Sequence, residues 1–182
     1  ASPTTPAPTP ASYTFTSDSE LQTAVNLWVS DERSAKDTYG HISDWDTRLI
    51  TNMDQLFLGK TTFNDDVSSW NTSSVTSMFG TFYQAEAFNQ PLISWNIKSV
   101  TTMQSMFSGA TAFDQYLCWD IPESVDTINM FSNSPGSADC PTSFTSKADL
   151  ETAVNLWVSD PTSARTSYGP IWNWDTGLIT DM

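Results

Sequence analysis

A 25-residue period in the middle of the chain constrains the fold more than any other feature of the sequence. Three residue types recur at this interval, and a fourth tryptophan follows one residue early. The columns are Trp45, Trp70, Trp95 and Trp119; Phe63, Phe88 and Phe113; and Met53, Met78 and Met103. A fixed period of roughly 20–29 residues is typical of a solenoid, in which each repeat is one coil stacked on the next. We therefore predict a short solenoid of about four coils, with these columns as its core ladders.

The clearest copy of the repeat runs from Leu92 to Phe113. Leu92, Trp95 and Ile97 follow an L-x-x-L-x-L spacing, which predicts a strand of the leucine-rich-repeat type. Apolar residues then recur at three and four residues, which predicts one helix face or a run of helical turns. The predicted class is an α/β repeat, a leucine-rich-repeat-like solenoid. A ligand-stacking role for the tryptophans would need outward-facing rings, which the strand register argues against.

An amphipathic helix is predicted from Phe15 to Asp31. Ser17 and Glu20 stand in capping-box positions at its start. A solenoid needs its exposed end coil covered, so we interpret this helix as an N-terminal cap. Residues 33–41 read as a polar connection into the first coil.

Short polar residues form two further columns, one after the tryptophans and one after the phenylalanines. Such side chains satisfy backbone groups at turns and bond to their stacked copies. The alternative is a calcium site, because calcium prefers oxygen ligands, although the columns lack the dense spacing of a dedicated calcium loop. No other cofactor is predicted. The columns are Asp46, Asn71, Asn96 and Asp120; and Asn64, Asn89 and Asp114.

The combined pattern F-N-x-x-(V/L)-x-x-W-(N/D)-x-x-x-V-T-x-M resembles the BspA-like repeat of microbial surface proteins. Phe63 to Ala110 matches it closely, and Ile42 to Phe131 matches it loosely. The resemblance implies a leucine-rich-repeat-like solenoid with an adhesive or structural role at a cell surface, and it implies no catalytic residues. The chain departs from long members of that family in its few copies and in its variation at Cys118.

The net charge restricts the possible partners, and the two cysteines indicate the cellular compartment. The formal charge is −14 with only seven Lys and Arg, which argues against nucleic acid and anionic membrane surfaces as partners. No apolar run is long enough to span a membrane. Cys118 and Cys140 predict a disulfide in an extracellular, secreted or cell-surface protein; the alternative is two reduced thiols. These cysteines and the single, distant His41 do not form a metal-ligand set.

Two kinds of glycosylation site are predicted. Residues 1–12 form a Thr/Pro-rich linker, in which Thr4, Thr5 and Thr9 are candidates for O-glycosylation. Asn71-Thr72-Ser73 is an N-glycosylation sequon. The alternatives are a bare flexible tail and a chance occurrence of the sequon.

A second level of repetition spans the whole chain. Residues 144–182 align with residues 15–53 at a constant offset of 129, with 25 of 39 positions identical. We predict a linker at 1–12, a solenoid module at 13–143 and the start of a second copy at 144–182. Either the natural chain continues, or another molecule covers the incomplete second module. The absence of a linker before this copy predicts modules packed end to end.

No catalytic constellation can be assembled from the sequence. The chain has one His, and its adjacent acidic residues, such as Asp65 and Asp66, are typical of a solvated face. We expect a non-enzymatic extracellular structural protein, a tandem-repeat module of a surface fibre, appendage or coat. Its expected partners are copies of itself, end to end or laterally, together with attached glycans. The alternative is an adhesin for glycan or protein, with calcium as an option for its site.

Overall fold

The computed structural model describes residues 12–139, 144, 146–168, 171, 174 and 176. Two helices come first, α1 (Asp18–Ser30) and α2 (Glu32–Tyr39), followed by a short 3-10 helix (Ile42–Asp44). Four stacked coils follow, which we number by their residues: coil 1 (42–66), coil 2 (67–91), coil 3 (92–116) and coil 4 (117–139). A second helix pair then repeats the first, α3 (Lys147–Ser159) and α4 (Pro161–Tyr168).

The amphipathic helix predicted at the N terminus is present as α1. The Ser17 hydroxyl accepts a 3.2 Å hydrogen bond from the Glu20 amide, and the Glu20 carboxylate accepts one from the Thr16 amide. The polar connection predicted after α1 is wrong, because residues 32–39 are helical. Asp31 ends α1 and starts α2, since its carboxylate accepts hydrogen bonds from the amide and hydroxyl of Ser34.

The predicted α/β leucine-rich-repeat class is wrong. Within the residues that the structure describes there is no strand or sheet, and neighbouring coils share only isolated parallel bridges such as Ser77 with Thr102. The expected strand at Leu92, Trp95 and Ile97 is a pair of β-turns. These turns are closed by bonds from the Trp95 amide to the Leu92 carbonyl and from the Val100 amide to the Ile97 carbonyl, both 3.0 Å.

The helix expected in each coil is also absent from the described coils, and a run of tight turns takes its place. Two positions in the turn run of each coil have a positive φ, which a right-handed helix does not accommodate. The two columns are Gln55, Gly80, Ser105 and Asn129; and Gly59, Gln84, Gly109 and Asn133. Each turn closes three residues back, as from Met106 to Met103. The apolar spacing of three therefore marks successive turns rather than a helix face.

The turn runs pair between coils in one direction. Four amides of coil 1 donate to four carbonyls of coil 2, as from Gln55 to Phe79 at 2.8 Å. The same four-bond pattern joins coil 2 to coil 3 and coil 3 to coil 4, ending with Gly109 donating to Ser132 at 2.8 Å. Every second residue of a turn run donates its amide forward, so the donor amides lie on the same side of the run. Each coil therefore receives these bonds on one face and donates them from the other.

Stacked aromatic rings fill the interior. Phe57, Phe82, Phe107 and Phe131 form one file with centroid spacings of 5.0, 5.5 and 5.4 Å and nearly parallel rings. The predicted columns lie inside the stack, and each member is at most 8% exposed: Trp45, Trp70, Trp95, Trp119, Phe63, Phe88, Phe113, Met53, Met78 and Met103. Burial of side chains of this size contributes roughly 1.5–3 kcal/mol each.

The terminal loop of coil 4 packs against the end of coil 3. Its Ser137 carbonyl accepts the Leu117 amide at 2.9 Å, and the backbone of Gly136 lies against the ring of Phe113. A Cβ at residue 136 would approach a ring carbon of Phe113 to 2.5 Å, so only glycine fits there. Beyond this loop, Phe144 and Ala153 are the buried residues of a second, smaller hydrophobic cluster.

Candidate interaction surfaces at the ends of the repeat stack

The polar column that follows the tryptophans caps turns. The Asn71 side-chain oxygen accepts the Ser73 amide at 3.0 Å, and Asn96 accepts the Lys98 amide at 3.0 Å. Asp46 does the same for Arg48, with which it also forms a 3.2 Å ion pair. Each of these three oxygens has a local backbone donor, which is the turn-forming behaviour of Asx residues.

The second polar column is a ladder of side chains between coils. Asn64 accepts the Asn89 amide at 2.8 Å, and Asn89 accepts the Asp114 amide at 3.0 Å. Gln90 and Gln115 reinforce the ladder by donating to the same asparagine oxygens. Among the described residues, no group of three His, Cys, Asp or Glu side chains is arranged to hold a metal ion. The amide ladder therefore gives these residues a role in stacking.

The adjacent acidic residues Asp65 and Asp66 are hydrogen-bonded within the fold. The Asp65 carboxylate accepts the indole N–H of Trp28 at 2.9 Å and so ties α1 to coil 1. Hydrogen bonds from the hydroxyl and amide of Ser68 lower the pKa of Asp66. Both carboxylates thus have structural partners.

The candidate modification sites differ in how far the structure describes them. Asn71 is exposed on coil 2, and the Ser73 hydroxyl donates to its side-chain oxygen at 2.7 Å. Cys118 is half-buried, with its sulfur 4.0 Å from the carbonyl oxygen of Asp139. Cys140, Thr4, Thr5 and Thr9 lie outside the described residues.

At one end of the stack, α1 covers coil 1 with matched polar contacts. The Asp18 carboxylate accepts the amides of Thr51 and Asn52 at 2.9 and 3.1 Å. One turn later, the Gln22 side-chain amide donates to the Leu56 carbonyl at 3.1 Å. Between these contacts Val25 is fully buried. Asp18 thus accepts hydrogen bonds from backbone amides of coil 1, and Gln22 donates one to a backbone carbonyl of coil 1.

At the other end, coil 4 presents a row of backbone donors. The amides of Thr127, Asn129, Phe131 and Asn133 correspond to those that donate forward from coil 3. None of these four has a hydrogen-bond acceptor among the residues that the structure describes. We call this row the donor edge.

A groove of about 420 Å³ adjoins the donor edge. The groove is open to solvent, and acidic side chains stand at its rim. Its lining includes Ile121, Val125, Met130 and Phe131, with Glu123 and Asp139. Phe131 stacks on Phe107 on one side only and is half-buried, whereas its counterparts Phe57, Phe82 and Phe107 are fully buried. The open end of coil 4 is thus half of a coil-to-coil interface.

Trp119 marks where the repeat loses its register. The indole N–H groups of Trp70 and Trp95 donate to carbonyls of the preceding coil, those of Ile42 and Val67, at 2.8 and 3.0 Å. The buried indole nitrogen of Trp119 has no hydrogen-bond partner among the described residues. Trp119 comes one residue early in its repeat, and we attribute the lost bond to this shift.

One face of α3 has no cover among the residues that the structure describes. Its groove of about 460 Å³ is lined by Lys147, Leu150, Glu151, Val154 and Asn155, which we call the α3 face. These residues align with Asp18, Leu21, Gln22, Val25 and Asn26, the part of α1 that lies on coil 1. Val154 is 38% exposed, whereas its counterpart Val25 is fully buried.

Residues 29–144 match the family model described as "Mycoplasma protein of unknown function, DUF285". The chain belongs to this family. The match covers more than half of the chain and includes all four coils of the stack. No curated protein and no solved structure matches the chain. DUF285 membership therefore accounts for the repeats but assigns no activity to them.

None of the helices in the described part of this DUF285 chain is long and apolar enough to cross a membrane. The N-terminal cap was predicted from the sequence, whereas the donor edge and the α3 face were not. The donor edge includes two left-handed asparagines, Asn129 and Asn133, and asparagine favours this conformation only weakly. The α3 face does have a sequence signal, the exchanges of Asp18 for Lys147 and of Gln22 for Glu151 between the two copies.

Proposed function

We propose that the chain is part of a non-enzymatic extracellular structural protein, a tandem-repeat module of a surface fibre, appendage or coat. The observation that carries the proposal is the uninterrupted pairing of coils 1 to 4. At the end of coil 4, no described residue fills the corresponding interface. Repeat architectures bury their apolar faces by adding neighbours, so an open end favours further stacking.

The finer relationship proposed is to BspA-like surface proteins. DUF285 membership and the tryptophan, methionine and phenylalanine spacing support it. Location at a cell surface is part of the same proposal. It is supported by the exposed Asn71 sequon and by the proximity of Cys118 to Asp139, the neighbour of Cys140 in sequence. We propose a Cys118–Cys140 disulfide and glycans on Asn71, Thr4, Thr5 and Thr9.

The test is electron microscopy of the protein purified from its natural source, with intact-mass analysis of the same sample. The expected result is long particles with a regular axial repeat, carrying N-linked glycan that a peptide N-glycosidase removes. Dispersed short particles at every concentration would overturn the structural proposal. In that case we would screen glycans and surface proteins as ligands of an adhesin.

A further inference from the structure

We propose that two copies of this chain pair side by side through the outer surface of their turn runs. These runs are residues 54–59, 79–84, 104–109 and 128–133, and we call their solvent-facing side the turn face. The inference rests on the proposed structural function and names the surface by which neighbouring stacks pack laterally. Because the turn face runs along the side of the stack, it is present whatever adjoins the two ends.

The turn face is nearly free of charge, although the chain is strongly acidic. The formal charge of the chain is −14, yet Asp54 is the only charged residue in the four turn runs. Its carboxylate accepts hydrogen bonds from the amide of Phe79 at 3.0 Å and from the side chain of Asn52 at 3.1 Å. A net charge this far from zero opposes association between copies. Two copies therefore approach each other at the lowest electrostatic cost through the turn face.

Several apolar side chains stand on the turn face and are not used by the core. Leu58 is 42% exposed, and Ile128 is 61% exposed. Phe79 and Tyr83 are half-buried, but neither belongs to the core cluster or packs against it. Aromatic side chains are enriched in protein–protein interfaces, whose centres are depleted of charged residues. The turn face has both of these properties.

The polar groups of the turn face are self-complementary. Gln55 and Gln84 are exposed, and each side-chain amide carries both hydrogen-bond donors and an acceptor. The Gln55 side chain lies 3.6 Å from the position of a Cβ at Gly80, and the Gln84 side chain lies 3.1 Å from that of a Cβ at Gly109. Each glutamine thus extends over the next coil and makes the face continuous. An amide can both donate to and accept from its own copy, which a carboxylate cannot, so the face suits a second copy of this chain.

A twofold axis parallel to the stack would use the two aromatic residues twice. Phe79 and Tyr83 stand near opposite ends of the turn run of coil 2. In two copies that face each other and point the same way, Phe79 of each copy meets Tyr83 of the other. Such an isologous contact closes at two copies. The turn face offers fewer residues than the roughly 20–30 a side of a standard interface, so each contact is weak and gains strength where modules repeat along a fibre.

The experiment is sedimentation velocity of the chain from about 10 μM to about 1 mM. One variant, Phe79→Gln/Tyr83→Ser, gives coil 2 the residues that coil 3 has at these positions, so we expect the fold to accept it. A second variant, Ser108→Glu, places a carboxylate on the turn face. Its matched control is Ser124→Glu, which adds the same charge at an exposed position of coil 4 outside the turn runs. Thermal melts check that every variant remains folded.

We expect the wild type to approach a dimer, and no larger species, at the highest concentrations. Each turn-face variant should raise the dimer dissociation constant about tenfold, whereas Ser124→Glu should leave it close to that of the wild type. Equal effects of Ser108→Glu and Ser124→Glu would show that net charge alone governs association and would overturn the inference. A monomer at every concentration would also overturn it, as would association that both turn-face variants leave unchanged. The structural function is tested separately, by the long particles expected in electron microscopy.

Discussion

Six residues other than glycine have a positive φ in the described part of the chain: Gln55, Gln84, Ser105, Cys118, Asn129 and Asn133. For residues with a Cβ this conformation costs roughly 1–2 kcal/mol, apart from asparagine, which tolerates it better. The left-handed conformation directs the amide of Ser105, for example, to the Ile128 carbonyl at 2.9 Å. This hydrogen bond between coils offsets the conformational cost. The coil interface is thus stabilised at the expense of local conformation.

Ser105→Gly should therefore stabilise the protein. Relief of the left-handed strain outweighs the extra entropy of glycine in the unfolded chain, and we expect a gain of about 0.5–1 kcal/mol in the free energy of unfolding. Urea unfolding measures it. Ser108→Gly, at a neighbouring position without positive φ, is the control and should destabilise. Equal effects at both positions would contradict the strain assigned to Ser105.

Trp95 and Trp119 test whether the indole hydrogen bond contributes to stability. Trp95→Phe removes the donor to the Val67 carbonyl and should cost about 1 kcal/mol more than Trp119→Phe, whose indole has no partner to lose. Both substitutions remove similar apolar area, so thermal and urea unfolding of the pair isolates the bond. A larger loss at Trp119 would show that its indole makes a bond in solution.

At the scale of elements, the N-terminal cap is fastened by a small acid-sensitive cluster. The hydroxyl of Tyr13 donates to Glu20 at 2.6 Å, and Tyr13 and Phe15 pair with Asp46 of coil 1. This hydrogen bond, with those from Thr16, lowers the pKa of Glu20 below its ordinary value of 4.5. The same contact raises the pKa of Tyr13. One carboxylate thus connects the helix start to the segment that pairs with the first coil.

Acid should loosen this cap. Because the pKa of Glu20 is lowered on folding, its contribution is fully present above pH 4.5 and is lost as the pH falls through its folded pKa. Glu20→Gln should lower the Tm at neutral pH and flatten its decline below pH 4.5. Thermal melts across this range test the prediction, with Glu86→Gln as the control. A parallel decline in Glu20→Gln and wild type would contradict it.

The core columns could be predicted from the sequence, whereas the secondary structure of each coil could not. The residues that repeat every 25 positions are large and apolar, such as Trp70 and Phe88, and they are buried in the core. The spacing of three from Val100 to Met103 and Met106 reads as helical, although consecutive turns produce it too. Only the φ angles distinguish the two structures, and Ser105 and Gln84 carry no signal for positive φ. The available hints were glycine at Gly59, Gly80 and Gly109 and asparagine at Asn129 and Asn133.

At the scale of the whole molecule, the proposed Cys118–Cys140 bond would fasten the terminal loop of coil 4, which packs against the end of coil 3. Closing a loop of this length stabilises a protein by about 3 kcal/mol. We expect reductant to lower the Tm of the wild type and to leave Cys118→Ser unchanged. Alkylation in denaturant without reductant should label neither cysteine. Labelling of both would rule out the bond and leave the loop dependent on Gly136 and its neighbours.

Because the coils pair in one direction, the stack has a polarity and its two ends differ. Four bonds at each interface point forward and two point back, so a coil turned end over end would set donor against donor. A polymer with such a core would have two different ends. These ends would grow at different rates and would bind different capping molecules.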